Sequence, residues 1–238
     1  RNPGPAGIAT AMTIGMNIRI GIAIFVKTPG HSPLKTRLAA GIGMEAARQF
    51  HTLAADAVAA VARQAQRKVP GLATHWAVAE KSALDAPQWA TLPRIPQGEG
   101  DLGARMRYVS ESMLTRFDAV LLLGADTPQI TSADIVATAH VLQSSQHVIG
   151  PSVDGGFWLF ATRGDVPETA WSTTPWSRSD TAARFCDALG NAPIARLRSL
   201  RDADVADDLP PLLRDIAALV NPLHEQQRLA EWLRATPC

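Results

Sequence analysis

Apolar residues run almost unbroken from Ile18 to Val26 (IRIGIAIFV), and many of them are β-branched. Such a run predicts a strand covered on both faces, as in a parallel sheet. Ala119–Gly124 (AVLLLG) repeats the pattern, and LATHWAV (72–78), HVIGP, GFWLFA and residues 193–198 supply further strands. Between them the period changes. Within 44–67, Phe50, Leu53, Ala54, Ala57, Val58 and Val61 recur at helical spacing, and Pro70-Gly71 ends the segment. Asp101 caps a predicted helix over 101–117, and Thr131 or Ser132 caps another. Helices are also predicted over 179–189 and twice after residue 205, with Asn221-Pro222 as cap and first-turn proline of the last. Strands alternating with helices predict an α/β fold built on a mostly parallel sheet flanked by helices.

The segments that break this pattern carry the chemistry. KTPGHSPLKTRLAAGIG (27–43) is too short and too interrupted by proline to predict a helix, yet it gathers Lys27, Lys35 and Arg37. Clustered cations and free backbone amides suit the phosphates of a nucleotide, although a solvated basic turn has the same composition. No GxxxxGK[ST] motif occurs, so the loop is not a P-loop. Asp126 follows the AVLLLG strand by two residues, where a carboxylate can ligate Mg²⁺ or Mn²⁺ or simply start a turn. Asp154-Gly155-Gly156 permits close approach of a ligand and equally suits a hairpin turn. In RDADVADDL (201–209), Asp207 and Asp208 suit a helix N-terminus, and Asp202 or Asp204 could face the same metal as Asp126. The glycine-rich PQGEGDLGARM (96–106) places Gln97 where an amide can pair with a base edge.

Composition narrows the field. Across 238 residues the net charge is +1, which argues against a nucleic-acid partner held by bulk electrostatics. Two cysteines, Cys186 and Cys238, have no ligand spacing, so a reducing cytoplasm is the expected setting. No apolar run has a bilayer-spanning length, so no membrane partner is expected. Residues 1–16 read as a disordered extension and 17–238 as a single domain. Neither GxSxG nor a Cys/His signature supports a protein nucleophile.

IFVKTPGHSPLKTRLA, QGEGDLGARM, LLLGADTPQI, GPSVDGGFWLFA, WSTT and DADVADDL stand in the order found in the rSAM/selenodomain-associated transferases. The likeness spans about residues 18–210. That family is similar to nucleotide-diphospho-sugar transferases of GT-A-type, Rossmann-like fold and, more distantly, to phospholactate guanylyltransferases. The resemblance implies a phosphate loop of Lys27, Lys35 and Arg37 and a nucleobase loop holding Gln97 and Gly103. It further implies a metal on Asp126 and Asp204, and an acceptor bordered by Asp154, Gly155 and Gly156. Ala125-Asp126 stands in place of the Asp-x-Asp of many glycosyltransferases, which turns the expectation toward nucleotidyl transfer. Lys35, Arg37 and Asp126 would then carry catalysis, with a phosphorylated small molecule as acceptor. The rival readings are glycosyl transfer from a nucleotide sugar and a non-catalytic nucleotide-binding module.

Overall fold

The computed structural model describes residues 18–236; the expected extension at 1–16 lies outside them, as does Cys238. Seven strands form one sheet: β1 (Ile20–Val26), β2 (Leu72–Val78), β3 (Arg94–Pro96), β4 (Ala119–Gly124), β5 (His147–Pro151), β6 (Phe157–Thr162) and β7 (Ile194–Arg196). Their spatial order is β3-β2-β1-β4-β6-β5-β7. Neighbours are parallel except where β6 runs antiparallel to β4 and to β5. The expected mostly parallel sheet is present. The exception arises because the short Asp154-Gly155-Gly156 turn leaves no room for a crossover.

Alternation along the strands feeds both faces. Ile20, Ile22, Ile24 and Val26 point to one side with Leu121 and Leu123, covered by α2 (Met44–Lys68) and α4 (Ser132–Val141). Ala23, Val120, Leu122 and Phe160 point to the other. There α3 (Leu102–Leu114), α5 (Glu168–Thr173) and α6 (Thr181–Ala188) cover them through Val109, Trp171 and Phe185. A third cluster joins α2 to α1 (Thr36–Ile42), α7 (Leu209–Ala217) and α8 (His224–Ala235) through Phe50, Leu38, Leu212 and Leu229. Each such fully buried Leu, Ile or Phe contributes about 1.5–3 kcal/mol.

Several expectations need correction. The basic segment does contain a helix, α1, because Leu38 is fully buried against α2 and α7 and tertiary packing offsets weak local propensity. β3 lies at the sheet edge, where Pro96 is tolerated and its strand character is hidden from the pattern. The six residues of α5 are too few to show a period. Asn221-Pro222 does not begin α8: the helix starts at His224, and the Gln226 side chain accepts from the Leu223 N–H at 2.9 Å.

The connectivity marks a place for a ligand. From β1 the chain moves outward through β2 and β3, then returns to β4 on the opposite side of β1. Where strand order reverses in this way, the carboxyl ends of the two strands frame a crevice. Phe25 and Gly124 lie side by side at that edge.

Candidate functional site

The loops leaving β1 and β4 meet in a cleft of about 570 Å³. The first loop is held from below. Glu80, just past β2, accepts from the Thr28 N–H at 2.8 Å and from the Ser32 hydroxyl. Burial pushes the Glu80 carboxyl up, but these bonds outweigh it and hold the group below its usual range. The Trp89 indole N–H donates to Thr28 Oγ1 at 3.0 Å, and His51 on α2 bonds the Lys27 carbonyl at 2.9 Å. The chain then reaches Lys35 in a left-handed conformation (φ 46°), immediately before α1.

Lys35 is placed differently from a simple phosphate grip. Its ammonium donates to Asp126 Oδ2 at 2.7 Å, Asp204 Oδ1 at 2.8 Å and the Ala203 carbonyl at 2.8 Å. All three donors are thereby engaged. Burial lowers the Lys35 pKa, but Asp126 and Asp204 outweigh it and raise the group above its ordinary value. Asp126 is the mirror case: burial pushes it up, and Lys35 holds it low. Arg37, on the first turn of α1, lies 3.6 Å from Asp204 and is 72% exposed, so its guanidinium is available to a ligand. Lys27 also lines the cleft and donates to the Pro33 carbonyl at 3.2 Å.

Asp202 joins the group. Carboxylate oxygens of Asp126, Asp202 and Asp204 lie within 4.8 Å of one another. Asp208 orders their loop by accepting from the Asp204 and Val205 N–H groups, both at 3.0 Å. The Ala203 N–H donates to the Asp126 carbonyl at 3.3 Å, tying the two acidic loops together. Burial and the charges of Asp126, Asp154 and Asp204 push the Asp202 carboxyl up to about 7. Lys35 and the more distant Arg37 are two cations against the carboxylates of Asp126, Asp202, Asp204 and Asp154. Hard oxygen donors with excess negative charge fit a divalent cation such as Mg²⁺ or Mn²⁺. Asp126 was legible as a strand-end carboxylate; choosing between Asp202 and Asp204 required the folded loop, which presents both.

The remaining expected residues divide. Gln97 is 5% exposed and lines the cleft. Its amide donates to the Val26 and Ala77 carbonyls at 3.1 and 2.8 Å, leaving Oε1 as the atom it can offer a ligand. Gly103 lies in α3, where a Cβ would collide with the Trp171 carbonyl and the Trp176 indole; it lets α3 approach α5. Asp154 and Gly156 line the cleft on the β6 side, and the Asp154 carboxylate accepts from the Gly156 N–H at 2.9 Å. Gly155 (φ 91°) backs onto Ser179, with no space for a side chain. Sequence patterning did not single out Ser177 or Arg178 as cleft-lining residues. The sequence marks only their place just before the helix predicted over 179–189.

The chain shares its fold with known proteins. Over 91% of its length, and 97% of the other chain, it superposes on a protein from Desulfovibrio desulfuricans G20 provisionally described as a nucleotide-diphospho-sugar transferase (TM-score 0.73, 21% identity). It also resembles a CMP:2-keto-3-deoxy-manno-octonic acid synthetase complexed with CTP, at TM-score 0.50 and 15% identity over 82% of this chain and 96% of that one. A 4-diphosphocytidyl-2C-methyl-D-erythritol synthase from Anaerococcus prevotii matches at TM-score 0.52 and 11% identity, over 80% and 94% of the two chains. At these identities the likeness establishes a shared fold, the nucleotide-diphospho-sugar transferase type. No curated protein matches by sequence. Through a match over residues 58–178, which takes in Gln97, Asp126 and Asp154, the chain belongs to the family described as "Uncharacterized protein conserved in bacteria (DUF2064)".

Proposed function

We propose that the protein is a divalent-cation-dependent transferase acting on a nucleotide-activated substrate. Within that class we favour transfer of a nucleoside monophosphate from a nucleoside triphosphate to a phosphorylated small molecule. The observation that carries the reading is the meeting of Lys35 with Asp126, Asp202 and Asp204 at the crevice between β1 and β4, flanked by Arg37 and Lys27. The names of the fold relatives, a CTP-bound synthetase among them, support nucleotide chemistry. The motif likeness to the rSAM/selenodomain-associated transferases agrees with it, and the reading places the protein in the cytoplasm.

In this reading Arg37 and Lys27 bind the triphosphate, and Gln97 Oε1 accepts a hydrogen bond from the base. Lys35 fixes Asp126 and Asp204 in place and presents positive charge to the phosphate chain. Mg²⁺ or Mn²⁺ bound by Asp126, Asp202 and Asp204 would neutralise charge on the phosphoryl oxygens. The acceptor, bordered by Asp154, Gly155 and Gly156, supplies a phosphate oxygen that bonds to the α-phosphorus as the bond to the bridging oxygen breaks and pyrophosphate departs. Rate enhancement comes from positioning and preorganised charge, without a protein nucleophile.

Glycosyl transfer is the second reading, favoured by the description of the D. desulfuricans protein. Purified protein incubated with Mg²⁺ or Mn²⁺, sugar phosphates and either nucleoside triphosphates or nucleotide sugars separates the two. Pyrophosphate is the expected product. A free nucleoside diphosphate from the nucleotide sugars would replace our preference with the second reading, and absence of both products would leave a nucleotide-binding module.

A further inference from the structure

Among the described residues, only two that are not glycine have backbone in the left-handed region, Lys35 (φ 46°) and Ser177 (φ 61°). Both line the same cleft. Such strain persists where surrounding structure over-determines it, and it concentrates at ligand clamps. The carboxylate cluster accounts for Lys35. It does not account for Ser177, which belongs to the opposite wall.

What Ser177 does is turn the chain so that Arg178 also lines the cleft. The turn is rigidly built. The Arg178 N–H donates to Thr181 Oγ1 at 3.0 Å, and that hydroxyl donates to the Pro175 carbonyl at 2.8 Å. The Ala182 N–H donates to the Gly155 carbonyl at 2.9 Å, docking the segment onto the Asp154-Gly155-Gly156 turn. The Arg178 guanidinium itself is scarcely committed. Its carboxylate neighbour among the described residues, Asp180, is 3.8 Å away and is bonded by Arg184, and the Arg178 side chain is 67% exposed. The other lysine and arginine side chains of the cleft, Lys27, Lys35 and Arg37, all come from the segment after β1. Arg178, loosely paired with Asp180, therefore lines the cleft from outside that segment, on a strained loop docked against the Asp154-Gly155-Gly156 turn.

We propose that Arg178 binds an anionic group, phosphate or carboxylate, of the second substrate, and so selects acidic over neutral acceptors. This rests on the two-substrate reading above. The geometry assigns one cationic wall to the donor's phosphates and the Arg178 wall to the acceptor.

Direct binding tests it without turnover. In MgCl₂, with the first-loop cations saturated by inorganic pyrophosphate, the intrinsic fluorescence of Trp176 and its neighbours is titrated with glycerol 3-phosphate, glycerate and glycerol. Charge-assisted bonds of this kind predict that Arg178→Gln weakens the bound anion by about tenfold or more, with Arg178→Lys intermediate. Dependence confined to glycerol 3-phosphate identifies a phosphate acceptor, and dependence confined to glycerate identifies a carboxylate. The proposal is overturned if R178Q binds both anions as tightly as the parent, if glycerol binds as well as its acids, or if neither anion binds the parent. Separately, failure of nucleoside triphosphates to bind the parent would sink the nucleotide reading while leaving an Arg178-dependent anion site intact.

Discussion

Lys35 is held in a strained backbone conformation by three bonds, two of them to carboxylates. Lys35→Met removes the one cation that bridges Asp126 and Asp204. Breaking a fully buried pair costs about 3–5 kcal/mol; with Asp204 at 39% exposure, solvent screening reduces this to about 1–3 kcal/mol. Thermal melting in chelator should show that loss, and added Mg²⁺ should recover more stability in K35M than in the parent, because the orphaned carboxylates gain a partner. Equal Mg²⁺ responses in both proteins would contradict the metal assignment. For turnover, Arg37→Ala, at an exposed position, should lower the rate about 10²–10³-fold with little change in melting temperature. Equal rates in R37A and the parent would remove Arg37 from the phosphate grip. Asp126 could be read from sequence because a carboxylate two residues beyond a buried strand has few places to go. Asp202 could be read only as an alternative to Asp204, and Ser177 and Arg178 not at all, since their placement exists only where loops distant in sequence come together.

At the scale of elements, the helix after β4 shows how caps and long-range pairs combine. Thr131 and Asp134 form a reciprocal cap on α4: Asp134 Oδ2 accepts from the Thr131 N–H at 2.8 Å, and Thr131 Oγ1 accepts from the Asp134 N–H at 3.3 Å. Arg198, just past β7, adds a two-pronged bond to the same carboxylate at 2.8 and 2.7 Å. Thr131→Ala should cost about 1 kcal/mol, read as a shifted denaturant midpoint. Asp134→Asn should cost more than T131A, because it also breaks the Arg198 pair. The reverse order would show that Arg198 contributes nothing. Gly155→Ala should be worse than either, above about 2 kcal/mol, since it adds a methyl group against Ser179 at a left-handed position. The cap was legible because Thr-Ser precedes an apolar period. β1 and β4 were legible because burial on both faces makes their sequences continuously apolar. α1, β3 and α5 were not: each is stabilised by a partner far along the chain, Leu38 on α2 and α7, β3 on the β2 edge, and Trp171 on Phe160 and Phe185.

For the whole molecule, burial of neutral histidines sets the response to acid. His147 is fully buried on β5, bonds Thr162 Oγ1 at 3.0 Å and stacks on Phe160 at 5.7 Å. His75 is buried on β2 and meets Phe117 edge-on at 5.6 Å. Burial pulls both pKa values below the ordinary histidine value, for His75 against an opposing bond to the Ala73 carbonyl. The unfolded chain therefore takes up protons first. Their stabilisation is complete above the unfolded pKa near 6.5 and is lost as pH falls toward the folded values, by at most about 1.4 kcal/mol per pH unit for each histidine. Asp202 acts in the opposite sense: with its folded pKa raised to about 7, its contribution is present at low pH and lost as pH rises through 7. Asp134 joins the histidines only at lower pH. Burial raises its pKa, but Arg198 and Thr131 hold it below the usual carboxylate range. The histidine effect is thus isolated by a difference between proteins, in which Asp202 and Asp134 cancel. Denaturant unfolding at pH 7 and pH 5 should show that the stability change between the two is more favourable to pH 7 in the parent than in a His75→Gln, His147→Gln variant, whatever the variant's absolute stability. A change of the same size in both would mean that these two histidines protonate in the folded sheet as readily as in the open chain, and that the interior around β2 and β5 admits charge.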